Sequence, residues 1–414
     1  MNKTLFKIFF LFLLLPSCSF AQIRELPFYL QQAKQNSPLL HDYQNQIQSL
    51  GLDSRKTRAG YGPQVLANGD LMYAPTFHHW GYDPAITNGQ NISVLMAVSK
   101  QIIGKNNLQA KLDNLTLQKQ ITGNQMKLSG KKLEQNVTQQ YLICYGDQLQ
   151  LNLSDEIFSL LQNEDEALKK LTQASVFKQT DYLTFKVALQ QQKLTMEQIK
   201  TQLLNDFSTL NYICGIEDST LENIMPPDLQ PITIEPFEQS LYAESFQADS
   251  LKNVNDAIII NMDYRPKISA FADGGYQSAL PAQAYRNWGM SVGLNFSLPI
   301  YDGHQKKMAL MQNKIKADSR AKYRDFAQQQ YQQQIVQLEQ QIRQYQKIKL
   351  AAKQQTIYAK TLVEANKKQL TTGDVRMTDY LLSITNYLNL RVALIQNEIT
   401  SFSLINQLNH LILK

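Results

Sequence analysis

The chain has 414 residues, of which 43% are hydrophobic and 18% are charged, so it is long enough to bury a sizeable core. Its formal net charge is +6, and removing Lys3 and Lys7 with a targeting segment would lower it to +4. This mild excess is not clustered into a basic run, which argues against a nucleic-acid-binding protein.

Residues 1–21 have the pattern of a signal peptide. Lys3 and Lys7 precede a short apolar run, and Ala21 ends a plausible cleavage site. The run is too short for a membrane-spanning helix, although an uncleaved anchor remains an alternative. Cys18 follows an imperfect lipidation motif, so lipidation at Cys18 stays open beside cleavage after Ala21. We predict an exported protein.

Two cysteines, Cys144 and Cys214, remain after such cleavage. Each lies in a helical pattern, without a Cys-x-x-Cys motif or a Cys/His spacing typical of metal sites. We expect both to pack in the interior rather than form a bridge.

In four stretches, apolar residues alternate with small or polar ones. This period of two indicates a β-strand with one face in contact with an apolar environment. The fourth has the clearest pattern: Trp288, Met290, Val292, Leu294 and Phe296 would share one face, with glycine, serine and asparagine on the other. The predicted strands cover about 64–74, 91–100, 267–277 and 287–298. Each half of the chain thus supplies two strands.

Long helical patterns follow each strand pair. The first runs from about residue 105 to 174 and would be about 105 Å long at about 1.5 Å per residue. A single helix of that length has too narrow an apolar stripe to stand alone, so coiled-coil packing is required. Breaks at 175–180 and 373–376 separate these helices from shorter ones that begin at Asp181 and Asp379.

The two halves repeat each other. Asp379-Tyr380-Leu381 follows Asp181-Tyr182-Leu183 by 198 positions, and Leu408-Asn409 follows Leu210-Asn211 by the same interval. We therefore predict a first repeat over 22–225, a proline-spaced linker over 226–236 and a second repeat over 237–414.

Four membrane strands cannot close on themselves, and an open edge in lipid would leave backbone groups unsatisfied. Several copies are needed, and three would supply twelve strands around a lumen. The helices are polar and too long to lie in the membrane, so they must extend from it.

At this point the chain resembles the outer-membrane efflux proteins of the TolC type. The resemblance rests on the tandem repeat, on Pro63 and Pro266 before the first strand of each half, on the segment Leu298–Gly303, and on Gly373 six residues before Asp379. The first half departs from this pattern, because Gly104 has no preceding proline and Ser175 stands where the second half has glycine.

The resemblance implies a mostly α-helical protein with transmembrane β-structure. Its two tandem repeats would form, as a homotrimer, a 12-stranded outer-membrane β-barrel continued by a long periplasmic α-helical barrel. It also implies a periplasmic adaptor, or membrane fusion protein, and an inner-membrane transporter as partners. No cofactor is expected.

The helix breaks are the predicted hairpin tips. By the resemblance, Asp181 and Asp379 would line an aperture there, as rings of carboxylates that attract cations. An aspartate in a first helical turn is favoured in any case, so a capping role is an equal alternative. Six further tip residues are candidate adaptor contacts, namely Phe177, Lys178, Gly373, Asp374, Val375 and Arg376; a solvated turn is the alternative.

Four aromatic residues near strand ends are candidates for a girdle at the membrane interface: Trp80, Tyr82, Tyr285 and Trp288. A loop cluster is the alternative. Pro299 and Gly303 mark the change from strand to helix. His78-His79 lacks a further ligand at metal spacing, so we expect no metal site.

We therefore expect a passive exit duct of a tripartite efflux or type I secretion system. It would lie in the outer membrane, extend into the periplasm and open at the hairpin tips. The alternative is a soluble periplasmic coiled-coil adaptor, which should have one hairpin rather than two. No enzymatic site is recognisable.

Overall fold

A computed structural model describes residues 24–78, 80–83, 89–102, 105–218, 220–279 and 286–411. The signal peptide, Cys18, His79, Gly104 and Tyr285 lie outside the described residues. The elements in chain order are α1 (Leu26–Asn36), α2 (Pro38–Gly60), β1 (Gln64–Tyr73), β2 (Gln90–Gln101), α3 (Lys105–Gln173), α4 (Gln179–Cys214), a short 3-10 turn (Phe237–Gln239), α5 (Leu241–Asp263), β3 (Lys267–Ser278), β4 (Trp288–Ser297), α6 (Gln305–Thr372) and α7 (Met377–Leu411).

The predicted fold class is confirmed in its helical and strand content. Each half contributes two strands and, after them, a hairpin of two helices. The first helix of each hairpin, α3 or α6, has 69 or 68 residues. Among the described residues, none of the helices is both long and apolar enough to cross a membrane.

The chain forms two compact units, and each contains segments of both halves. The hairpin unit contains the described residues up to Ser37 together with Lys132–Ile232 and Gln337–His410. The sheet unit consists chiefly of Pro38–Lys131 and Thr233–Val336. The compact units therefore cut across the two sequence repeats.

The four strands form one antiparallel sheet in the order β1-β2-β3-β4. The central pair, β2 and β3, joins the first half of the chain to the second, with Gln101 opposite Ser269 and Ile92 opposite Ser278. Because the strands alternate in direction, their junctions with α2, α3, α5 and α6 all lie at one end of the sheet.

The hairpin unit has two buried clusters. One is formed by α3, α4, α6 and α7 and includes Leu168, Phe185, Leu370, Met377 and Tyr380. Both helical hairpins therefore share one apolar core, as the coiled-coil expectation requires.

The second cluster brings the N-terminal helix α1 against α3 and α4. Tyr29 and Tyr141 are fully buried there, with ring centroids 5.7 Å apart. Cys144 and Cys214 belong to the same cluster as free, buried thiols, which confirms the prediction that they are packing residues.

Candidate functional site

One face of the sheet is apolar across all four strands. The register places Val65, Val98, Ala272 and Val292 in one row, each directly opposite the next. The neighbouring rows on this face are also apolar or small, with Lys100 as the exception, and side chains of one parity point to one face. On β4 the exposed fraction reaches 85% for Met290 and 78% for Val292. A contiguous exposed face of this kind marks an interaction with lipid or protein.

The opposite face has mostly polar or small side chains, although Leu66, Met72 and Leu95 also lie on it. The hydroxyl of Ser291 donates to the carboxylate of Asp273 at 2.9 Å. Phe271 is an exception on this face and lies directly opposite Gly293. A Cβ at position 293 would lie 2.6 Å from the Phe271 ring, so only glycine fits under that side chain. The sheet thus separates an apolar face from a polar one.

Three of the four predicted aromatic residues, Trp80, Tyr82 and Trp288, lie at the end of the sheet away from the helices, and Tyr285 lies outside the described residues. Trp288 is 70% exposed, and its ring meets that of Tyr276 edge-on with centroids 6.1 Å apart. Trp80 and Tyr82 are also largely exposed. Trp80 pairs with Phe77 through two backbone hydrogen bonds of 2.8 Å. The girdle remains a prediction.

The junction between β4 and α6 is fixed by an N-terminal cap. Gly303 has φ of 62°, and the carboxylate of Asp302 accepts hydrogen bonds from the backbone N–H groups of His304 and Lys306 at 2.9 and 2.7 Å. These bonds, chiefly that from Lys306, lower the pKa of Asp302. Pro299 is exposed two residues after the strand ends.

Sequence reasoning singled out Pro299 and Gly303 at this junction but did not assign a role to Asp302. The signal was available, since aspartate just before a helical pattern is a typical capping residue, and the predicted helical pattern begins at Gly303.

The two hairpin tips have the same backbone turn. Ser175 and Gly373 both adopt left-handed φ, at 59° and 80°. In each turn, the backbone N–H of this left-handed residue donates to the carbonyl of the residue three positions earlier. The backbone N–H of the next residue donates to the carbonyl five positions before it. This is the Schellman pattern that ends helices. Glycine adopts such φ without steric cost, whereas serine does not.

Asp181 and Asp379 lie one turn beyond these bends, each in the first turn of its helix. The carboxylate of Asp181 accepts from the backbone N–H of Lys178 at 3.3 Å, and that of Asp379 accepts from Nε of Arg376 at 3.1 Å. Both side chains remain partly exposed. Asp181 therefore has the geometry of a helix-capping residue, whereas the Asp379 carboxylate pairs with the side chain of Arg376. An aperture role stays a prediction for both.

The candidate adaptor contacts differ in exposure. Lys178, Asp374 and Arg376 are exposed, whereas Val375 is half-buried. Phe177 is also half-buried and packs against the core cluster that contains Leu168 and Tyr380. An aromatic side chain gains more from this burial than from exposure at a turn.

A half-buried acidic pair, Asp147 and Asp206, was not anticipated. The pKa of Asp147 is raised to about 7. Burial is the largest cause, and the nearby carboxylate of Asp206 is the second. Asp206 is held by side-chain amides, with Gln140 donating at 3.2 Å and Gln202 at 2.6 Å. The two aspartates lie on different helices, α3 and α4, so no local spacing in the sequence could have revealed the pair.

This combination of an amphipathic four-stranded sheet with two long helical hairpins is the fold of outer-membrane efflux channels of the TolC type. The outer-membrane protein VceC from Vibrio cholerae has a TM-score of 0.77 and 12% identity, covering 94% of this chain and 95% of that one.

Two further solved structures are similar over most of their length. CusC, whose structures concern transmembrane channel formation, has a TM-score of 0.79 and 12% identity, with 95% of this chain and 93% of that one covered. The CmeC outer membrane channel of Campylobacter jejuni has a TM-score of 0.76 and 14% identity, with 94% and 85% covered. No protein-family model and no curated protein matches the sequence. The similarity is therefore one of fold.

Proposed function

We propose that the chain is the subunit of a passive outer-membrane channel, the exit duct of a tripartite efflux or type I secretion system. The observation that carries this proposal is the continuous, exposed apolar face of the sheet, which is joined at one end to polar helical hairpins. Exposure of such a face to water is energetically unfavourable, whereas contact with the hydrocarbon core of a membrane is favourable.

A homotrimer follows from the two free edges of the sheet. Neither β1 nor β4 has an outer strand partner among the described residues. Unpaired backbone groups cost several kcal/mol each in lipid, so β4 of one copy would pair with β1 of the next. Three copies would close a twelve-stranded barrel with the polar face towards a water-filled lumen.

The hairpin tips would lie in the periplasm and form the entrance. Lys178, Gly373, Asp374, Val375 and Arg376 would contact a periplasmic adaptor, with Phe177 supporting the turn from below. Asp181 and Asp379 would line the aperture as well as cap their helices. An inner-membrane transporter would supply the energy, and the chain would carry out no chemistry of its own.

A soluble periplasmic adaptor is the alternative function. It is disfavoured because a protein surrounded by water would expose the apolar row of β4, where Val292 is 78% exposed. The two hypotheses predict opposite outcomes on fractionation of cells that express the full chain.

We expect the mature protein in the outer-membrane fraction as a detergent-resistant trimer that conducts ions in planar bilayers. Val292→Lys places a charge on the apolar face and should reduce membrane-inserted trimer at least tenfold, since a lysine near the bilayer centre costs about 2–4 kcal/mol. Asn295→Lys is the matched control on the polar face of the same strand and should insert normally.

Recovery of the unmodified protein in the soluble periplasmic fraction, without trimers, would overturn the channel proposal. Equal insertion of the Val292→Lys and Asn295→Lys variants would show that the apolar face does not contact lipid.

A further inference from the structure

Helix α6 has apolar residues on two opposite sides within the sheet unit. One side packs against α5, where the side-chain amides of Asn313 and Asn253 each donate to the other residue's backbone carbonyl, at 3.0 and 3.4 Å. On the opposite side, at about 100° per residue, four apolar side chains form a second stripe that is 54–58% exposed: Met308, Met311, Ile315 and Phe326. A helix that is apolar on two sides is expected to have a neighbour on each.

The inner helices of the same unit have such neighbours on both sides. In α5, Asn253 faces α6, whereas the buried Asn255 donates to the carbonyl oxygen of Ala110 on α3 at 2.8 Å. The outer helices are packed on one side only. Tyr43 of α2 accepts from the hydroxyl of Ser129 on α3 at 3.4 Å, but α2 has no buried residue. Helices α2 and α6 therefore each have an open side.

These two helices adjoin the strands that would meet between copies. Helix α2 precedes β1 and α6 follows β4, and in the proposed trimer β4 of one copy pairs with β1 of the next. The inference therefore rests on the proposed function. Within the chain, α3 follows β2, α5 precedes β3, and β2 pairs with β3. The contact between α3 and α5 thus shows how α6 could meet α2 of the next copy.

The sequence repeat gives the equivalent positions. Pro266 follows Pro63 by 203 positions, and Leu408 follows Leu210 by 198. The first interval relates α5 to α2, and the second relates α3 to α6. Each contact between α3 and α5 therefore has an equivalent pair of positions on α2 and α6.

The contact between Asn255 and Ala110 becomes an apolar pair. Subtracting 203 from 255 gives Leu52, and adding 198 to 110 gives Met308. Both side chains are more than half exposed. Met308 belongs to the second stripe of α6, and Leu52 lies on the side of α2 that faces away from α3. The two positions thus suit a hydrophobic contact.

A second contact keeps its chemistry under the same operation. The side-chain amide of Asn114 on α3 donates to the carboxylate of Asp256 on α5 at 2.5 Å. The equivalent residues are Gln312 and Asp53, which are again an amide and a carboxylate, and both are exposed. An amide N–H can donate to a carboxylate in either case.

We propose that the open side of α6 in one copy packs along α2 of the next copy. The helices are antiparallel, with Met308 against Leu52 and Gln312 beside Asp53. The second stripe extends over 18 residues from Met308 to Phe326, or about 27 Å at about 1.5 Å per residue. The contact between copies thus continues well beyond the strands, and it covers apolar side chains that a single chain leaves in water.

The first test is sedimentation velocity of the full chain purified in detergent. Met308→Asp combined with Ile315→Asp places two charges on the stripe, and we expect the trimer to dissociate at least tenfold more readily. Lys307→Asp with Lys314→Asp is the control. It has the same seven-residue spacing and alters exposed positions on another side of α6, so the trimer should stay within about twofold of normal.

The second test introduces no charge. Leu52→Cys combined with Met308→Cys should give a cross-linked trimer on non-reducing gels that a reductant reverses. Leu52→Cys with Lys314→Cys is the control, because position 314 lies about 9 Å further along α6 and about 120° around its axis. Equal dissociation of the two aspartate variants, or equal cross-linking of the two cysteine variants, would overturn the helix contact.

Failure of this contact is distinguishable from failure of the proposed function. Unmodified trimers that conduct ions in planar bilayers, in which positions 52 and 308 do not cross-link, would refute only the contact between α6 and α2. A monomeric, non-conducting unmodified protein would refute the channel as well.

Discussion

Asp181 and Asp379 occupy equivalent positions, because each is the third residue of its helix. Their carboxylates interact with Lys178 and Arg376 at the tips. A carboxylate in a first turn stabilises its helix locally and still presents negative charge to the surroundings. Capping and cation attraction are therefore compatible roles for the same two residues.

We predict that Asp181→Asn combined with Asp379→Asn lowers the cation-to-anion permeability ratio by about twofold or more, because rings of carboxylates would be neutralised. Each substitution should also cost about 0.5–1 kcal/mol at its helix terminus. Reversal potentials in planar bilayers under a salt gradient measure the ratio. Asp318→Asn with Asp325→Asn is the charge-matched control on exposed positions of α6, and an equal change there would contradict the tip assignment.

Asp147 should make the stability of the hairpin unit depend on pH. Its pKa is about 7 in the folded chain and 3.8 in the unfolded chain, so the folded state binds the extra proton between these values. The stabilising contribution of Asp147 should therefore be complete below about pH 4, decline towards pH 7 and be lost above it. Burial and the neighbouring Asp206 carboxylate are the causes.

Asp147→Asn should remove this decline, which thermal unfolding of the detergent-solubilised protein at several pH values would measure. The matched control is Asp155→Asn, an exposed position on the same helix. A pH profile that is the same for the Asp147→Asn variant and the unmodified protein would exclude Asp147 as the responsible group.

At the scale of elements, the two hairpins have the same turn geometry but differ in sequence at one position. Ser175 and Gly373 have the left-handed conformation that glycine tolerates best. A Cβ at position 373 would meet nothing within 4 Å, so the cost of a side chain there is one of backbone conformation alone.

We predict that Ser175→Gly stabilises the protein by up to about 1 kcal/mol and that Gly373→Ala destabilises it by about 1–2 kcal/mol. Chemical denaturation monitored by circular dichroism would measure both changes. Gly123→Ala is a useful comparison, because Gly123 lies within α3 and the same substitution should there be stabilising. Destabilisation by Ser175→Gly would show that the serine side chain makes an essential contact.

The strands and helices were largely predictable from sequence because their periods are local. All four strands begin and end within one residue of the predicted positions. The apolar parity of each strand is also as expected, since Val292 and its neighbours share one face. The side chain of Phe177 was harder to assign, because its burial depends on helices that are distant in the chain.

At the scale of the whole molecule, a trimer requires β4 of one copy to pair with β1 of the next. Both strands have ten residues, and a flush antiparallel alignment would place Trp288 opposite Tyr73 and Ser297 opposite Gln64. This alignment keeps the apolar face continuous around the ring.

We predict that Leu66→Cys combined with Asn295→Cys forms disulfides between copies, because these positions would be directly opposite each other on the polar face. Non-reducing gels of membrane fractions should show a cross-linked trimer. Val65→Cys with Asn295→Cys places the thiols on opposite faces and should not cross-link. Cross-linking of both pairs, or of neither, would contradict the flush alignment.

The sequence alone determined the elements, their amphipathic parity and the repeat, since each depends on spacings of a few residues or on the comparison of two halves. Only the tertiary structure decided that β2 pairs with β3 and that Asp147 approaches Asp206. The physical reason is that a period fixes which face a side chain occupies but not which distant strand or helix it meets. Those partners follow from packing and backbone pairing across the folded chain.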